Sequence, residues 1–166
     1  MQVPSPTDPA AALNDLIQAA LPDQRGLGAW QSLLRAHASL MRELSTDLAM
    51  RTRLPLGDFD VLAQLARAGG ELRMTDLASR VFSSRSAVSR RIDRLVEEGL
   101  VRRTSSDSDG RGVVIALTEA GLARLVEAVP VHLDGVSKLF IGQLDDEELS
   151  VLERALDKVS LHCSYG

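Results

Sequence analysis

The amino-acid sequence predicts a mainly α-helical fold that carries one small β-hairpin. Apolar residues recur at three- and four-residue spacing along most of the chain, the signature of helices with one buried face. Hydrophobic residues make up 45% of the chain and aromatics only 3%, so packing runs through Leu, Ala and Val rather than through an aromatic-rich sandwich. The stretch Leu100–Leu117 breaks the helical pattern, with short strand-like runs on either side of a polar, glycine-bearing loop. At 166 residues the chain is long enough for one sizeable core, or for a small domain with helical extensions.

Residues 1–7, with Pro4 and Pro6, read as a flexible tail. Asp8 is a good N-cap and Pro9 suits the first helical position; Leu13, Leu16, Ile17, Ala20 and Leu21 then repeat as one stripe until Pro22. That stripe has to be buried on its own body or on a second subunit. A second helix carries Trp30, Leu33, Leu34, His37, Leu40, Met41, Leu44 and Leu48 on one face and runs to about Arg51, ahead of Leu54-Pro55. A third extends from Leu56 to about Ala68 with Phe59, Leu62 and Leu65 inward, and Gly69-Gly70 closes it. Leu72 and Met74 suggest a brief strand.

Thr75 then caps a short helix with Leu77, Ala78 and Val81 inward, and Phe82-Ser83 make a turn. Ser84 accepts from an early N–H of the next helix, which runs to about Glu98 with Val88, Ile92 and Leu95 inward and terminates at Gly99. The runs Leu100–Thr104 and Val113–Leu117 form a hairpin with a projecting polar tip. A long helix begins at Thr118 and is interrupted or kinked near Pro130. The last helix opens with Asp145 and Glu148 at capping-box spacing and carries Leu149, Leu152, Leu156, Val159 and Leu161.

The formal net charge of -4 argues at first against nucleic-acid binding, because phosphate affinity comes from Lys and Arg. The distribution reverses that argument. Between Arg73 and Arg111 there are nine Arg and six acidic residues, so this segment is +3 and the remainder of the chain is -7. A basic module is set in an acidic body. The single cysteine, Cys163, excludes an intrachain disulfide and a multi-cysteine zinc site, and His132 and His162 lack ligand spacing, so no metal or other cofactor is expected. With no apolar run of membrane-spanning length and no secretory pattern, the expected location is the cytoplasm. The chain has no Gly-rich phosphate loop and no nucleophile motif, so no catalytic residue is assigned and an enzyme is not expected.

The helix beginning near Arg85 turns Arg85, Ser86, Ser89, Arg90, Asp93 and Arg94 outward, a donor-rich face with no large apolar residue. Together with Leu77-Ala78, the run Ser84–Leu95, Glu98-Gly99-Leu100-Val101-Arg102-Arg103, Asp109, Arg111 and Leu117-Thr118-Glu119-Ala120-Gly121, this ordered set resembles the MarR (multiple antibiotic resistance regulator) family of winged helix-turn-helix transcription factors. The resemblance spans roughly residues 29–160 and is most specific over 72–121. It implies a homodimer with intertwined terminal helices, in which a recognition helix enters each major groove of double-stranded DNA and a wing reaches the minor groove. Pseudo-palindromic promoter sites, repression, and modulation by a small aromatic or phenolic effector are the usual accompaniments.

On that resemblance, residues 1–28 are an N-terminal extension with a dimerising helix, 29–54 the first long helix, 55–117 the winged DNA-binding lobe and 118–166 the C-terminal dimerisation helices. Ser84, Arg85, Ser86, Ser89 and Arg90 are the major-groove group, since Arg bonds guanine O6 and N7 together. Arg111 is the minor-groove arginine, favoured where a narrow groove deepens the potential, and Asp109 supports the wing. Thr75, Arg94 and Arg103 are candidate phosphate contacts. Trp30, Leu34, His37 and Met41 are candidate cleft residues for an effector, set against their reading as core. Cys163 does not match the position of the family's sensing cysteine. The alternative is a winged-helix module that binds protein without DNA, which the nine-arginine segment disfavours.

Overall fold

The computed structural model describes residues 8–21, 23–81, 85–105 and 112–164. Among the described residues, seven α-helices and three strands follow in the order α1 (Pro9–Ala20), α2 (Leu27–Thr52), α3 (Leu56–Arg67), β1 (Glu71–Arg73), α4 (Met74–Arg80), α5 (Arg85–Glu97), β2 (Val101–Ser105), β3 (Val113–Leu117), α6 (Glu119–Leu139) and α7 (Asp146–Ser164). A short 3-10 turn, Ile141–Gln143, lies between α6 and α7. The chain divides into two compact units, Met1–Ser39 and Leu40–Gly166.

The first unit holds α1 and the opening turns of α2. Asp8 caps α1 as expected, its carboxylate accepting from the Ala10 N–H at 2.9 Å with Pro9 behind it. No residue of α1 is buried, and Leu13 and Leu16 keep 57% and 68% of their surface exposed. The stripe is present, but this unit gives it no core.

The second unit is built around α3. Val61, Leu62 and Leu65 are fully buried with Leu77 of α4, Val88, Ile92 and Leu95 of α5, and Ile115 of β3. Each fully buried Leu or Ile contributes roughly 1.5–3 kcal/mol relative to exposure, so this cluster dominates the lobe's stability. It holds α5 by one face only and leaves the other face outward.

Two local features differ from the sequence-based expectation. The hairpin is part of a three-stranded antiparallel sheet in the order β1-β3-β2, with both Leu72 and Arg103 opposite Ile115. Pairing with β3 holds Glu71–Arg73 extended, so the N-cap of α4 is Arg73 and the helix takes in Met74, which was expected in the strand. Thr75 is therefore not the cap. It lies inside the first turn, where its hydroxyl donates to Asp76 Oδ1 at 3.3 Å.

Pro130 does not interrupt α6, which runs unbroken as Glu119–Leu139. Pro130 is exposed, as is Val126, whose carbonyl loses its helical donor.

The segment after the hairpin explains its own composition. Thr118 caps α6 by accepting from the Gly121 N–H at 3.0 Å, and its hydroxyl also lies 2.8 Å from the Gly99 carbonyl and 3.0 Å from that of Leu100. Gly99 ends α5 with φ +73°, and Leu100 N–H closes back on the Leu95 carbonyl at 2.9 Å. A Cβ on Gly121 would run into the Leu100 backbone carbonyl. Thr118 and Gly121 thus join the end of α5 to the start of α6. At the other end, Asp145 and Glu148 form the expected reciprocal box, with Glu148 N–H on Asp145 Oδ1 at 2.8 Å and Asp145 N–H on Glu148 Oε2 at 2.9 Å.

Candidate nucleic-acid interface

The candidate recognition surface is set by the spacing of α5. Val88, Ile92 and Leu95 recur at four and three residues and are fully buried, which rotates Ser86, Arg90 and Asp93 to the exposed side and leaves Ser89 half-buried at its margin. The predicted readers Ser86, Ser89 and Arg90 therefore share the outward half of one helix. Arg85 is the first residue of α5, but its side chain is outside the described residues, as are Ser84 and the wing-tip pair Asp109 and Arg111.

Other arginines of the basic segment already have partners. Asp58, on the first turn of α3, is 1% exposed and receives both Arg94 contacts from one guanidinium nitrogen, 2.6 Å to Oδ1 and 2.7 Å to Oδ2. Arg91 Nε lies 3.2 Å from the same carboxylate in an ion pair, although its N–H is too oblique for a hydrogen bond. One buried acid thus holds two arginines that stand one turn apart on α5. Gly57 makes room for this arrangement, since a Cβ there would occupy the site of the Arg91 guanidinium.

Arg103 on β2 pairs with Asp93 of α5 at 2.6 Å, tying the base of the hairpin to the helix. Both side chains are exposed, so this pair is worth at most about 1 kcal/mol. Arg94 and Arg103, candidates for phosphate contacts or solvated charges, stand in intramolecular ion pairs while remaining partly exposed. The reason is geometric: each stands within reach of an acid on a neighbouring element.

The α3–α6 contact carries a second buried polar group. The His132 ring of α6 lies 4.6 Å from that of Phe59, and its Nδ1 is buried with no hydrogen-bond partner among the described residues. Burial, reinforced by the Arg67 charge and opposed by Asp60, holds the imidazole below its ordinary range. On α2, Trp30, Leu34 and His37 of the first unit are all exposed, as is Met41 at the start of the second. They are not core of the unit in which each lies.

A profile of the MarR family matches residues 52–112. An uncharacterized HTH-type transcriptional regulator of Bacillus cereus is 33% identical over 133 residues, covering 80% of this chain and 87% of the relative. The chain belongs to the MarR family.

Solved MarR structures agree in fold. AbsC, a MarR family transcriptional regulator from Streptomyces coelicolor, superposes with a TM-score of 0.77 at 33% identity, over 84% of this chain and 95% of AbsC. Sco3205 from the same organism, solved in complex with DNA, gives 0.74 at 31% identity over 80% and 83% of the two chains. As a MarR regulator the protein is a non-enzymatic DNA-binding transcription factor, and the reading as a protein-binding module is not favoured. Among the described residues no helix is long and apolar enough to cross a membrane.

In this MarR chain the residue that sequence reasoning missed is Asp58. Its signal was present: Asp58, Val61, Leu62 and Leu65 follow the i, i+3, i+4, i+7 pattern of a buried stripe. A carboxylate on such a stripe needs a cationic or donor partner, because an unpaired buried charge is strongly unfavourable.

Proposed function

We propose that this MarR-family protein is a homodimeric repressor that reads pseudo-palindromic promoter DNA with the outward face of α5. The observation that carries the reading is the exposed Ser86 and Arg90 surface on a helix whose opposite side is fully buried in the lobe. Rigid seating matters because a recognition helix discriminates bases only when its side chains arrive in fixed register. Arg85, Ser84 and Ser89 complete the major-groove group, Arg111 reaches the minor groove and Asp109 braces the wing; Thr75 adds a phosphate contact.

Dimerisation has its own support. Leu122, Val126 and Leu133 on α6, and Val151, Val159 and Leu161 on α7, are exposed apolar side chains at helical spacings, as are Leu13 and Leu16 on α1. Apolar surface on this scale is uncommon on a solitary chain and marks an interface. In this reading residues 1–28, 29–54 and 118–166 serve the dimer, and 55–117 serve DNA. On the family resemblance Trp30, Leu34, His37 and Met41 are the candidate effector residues, and such a ligand changes DNA affinity only through its different affinity for two lobe arrangements. The protein works in the cytoplasm.

A mobility-shift titration with the gene's own upstream DNA tests this. The wild type shifts a specific fragment, and Arg90→Ala weakens binding by ~1–3 kcal/mol while relaxing one base preference. Failure of the wild type to prefer any upstream fragment over unrelated DNA would remove the reading.

A further inference from the structure

Asp58 stands outside the surface that faces DNA, yet it controls two of the cations on the helix that carries that surface. We infer that Asp58 is a specificity-determining positioning residue: by engaging Arg91 and Arg94 together it fixes the rotation of α5 and competes with phosphate for both charges. The inference rests on the DNA-reading role of α5 proposed above.

Three observations place it. The Asp58 carboxylate is 1% exposed, so it exerts its charge inside the lobe and is little screened by salt. Its partners Arg91 and Arg94 stand three residues apart on α5, and contacts from two positions of one turn resist both rolling and sliding of the helix. Gly57 leaves the volume beside Asp58 open for the Arg91 guanidinium, so the neighbouring position is shaped to the same contact.

The consequence for DNA has two parts with opposite signs. A guanidinium free to meet any phosphate strengthens binding to all sequences alike, and each neutralised phosphate steepens the dependence of log K on log salt by about 0.9. A guanidinium held by Asp58 adds nothing to that non-specific term. Its only effect on DNA is through the register of Ser86, Ser89 and Arg90, which acts on the preferred sequence alone. Asp58 therefore raises the ratio of operator to non-operator affinity from both ends.

The test compares the full-length wild type with Asp58→Asn, which keeps the shape and removes the charge. The probes are the tightest duplex recovered by selection from a random library and a scrambled duplex of equal composition, each titrated across a salt series. Asp58→Asn is expected to lose at least about tenfold in the ratio of selected to scrambled affinity. Its salt slope on the scrambled duplex is expected to steepen by about 0.9 to 1.8, for one or two released arginines.

A parallel loss on both duplexes with unchanged slopes means that Asp58 acts through stability alone and overturns the inference, as does an unchanged ratio. Should Asp58→Asn fail to fold by circular dichroism, Arg94→Gln decides. The slope stays at the wild-type value if Asp58 holds Arg94, and a slope shallower by about 0.9 shows a phosphate contact and overturns the inference. A wild type that prefers no selected duplex is a different result, and removes the DNA-reading proposal from which this one starts.

Discussion

Replacing Gly57 by Ala reverses the sign that helix propensity assigns to it. Gly57 lies in the first turn of α3, and Gly→Ala inside a helix ordinarily stabilises by roughly 0.5–1 kcal/mol. Here the added Cβ would occupy the space of the Arg91 guanidinium, with Cζ and both terminal nitrogens in its way. Arg91 is a long side chain, so it swings aside at little steric cost; what it loses is its pairing with Asp58, 3.2 Å away.

Losing a partner from a buried charge costs ~1.5–3 kcal/mol, at the lower end here because Arg94 keeps both of its contacts to Asp58. Subtracting the propensity gain leaves a net destabilisation of about 1 kcal/mol, or up to about 2. Urea denaturation at fixed protomer concentration reads this as a lower midpoint with an unchanged slope. In an Arg91→Gln background the same Gly57→Ala change is expected to be neutral or stabilising, a coupling of roughly 1–3 kcal/mol between the two positions. If Gly57→Ala stabilises the wild type, or shifts both backgrounds equally, the Gly57–Arg91–Asp58 packing argument is wrong.

Two further outcomes are expected. Thr118→Val removes the cap on Gly121 and the bond to the end of α5, at ~1–2 kcal/mol in urea denaturation, and Thr118→Ser, which keeps the hydroxyl, recovers most of it; a loss in Thr118→Ser with none in Thr118→Val would assign the effect to the methyl group. Because burial lowers the folded pKa of His132, the unfolded chain binds the proton more readily, so its contribution is present above about pH 6.5 and is lost as pH falls through the folded value. The urea midpoint should therefore drop between about pH 7.5 and about pH 5.5 and flatten in His132→Gln, whereas an unchanged slope in that variant would place the titration elsewhere.

Features set by local chemistry were legible in the chain. The α5 stripe of Val88, Ile92 and Leu95, the Asp8-Pro9 start and the Asp145–Glu148 box each depend on residues within a few positions of one another, and the structure shows all of them. Features set by distant partners were not. Thr75 reads as a cap until β1 pairs with β3, a contact across some forty residues that holds Arg73 extended and moves the helix start. Pro130 reads as an interruption or a kink, and the helix runs through it without interruption.

The same division runs through the site. Ser86 and Arg90 could be placed outward from α5 alone, because their neighbours are one turn away. Arg94 and Arg103 read as phosphate contacts or solvated charges, and their ion pairs were not foreseen because their acids, Asp58 and Asp93, sit on other elements at 2.6 Å. The acidic net charge of -4 misleads for a related reason, since it averages the +3 segment Arg73–Arg111 with a remainder of -7.

The central claim is that this lobe reads DNA through a few exposed side chains on a fixed helix. Equilibrium titration of the wild type against a selected duplex and its scramble, over a series of salt concentrations, tests it most directly. The account predicts a clear preference for the selected duplex and a linear, steep fall of log K with log salt, as expected when several phosphates are neutralised. Equal affinity for both duplexes, or binding indifferent to salt, would contradict it.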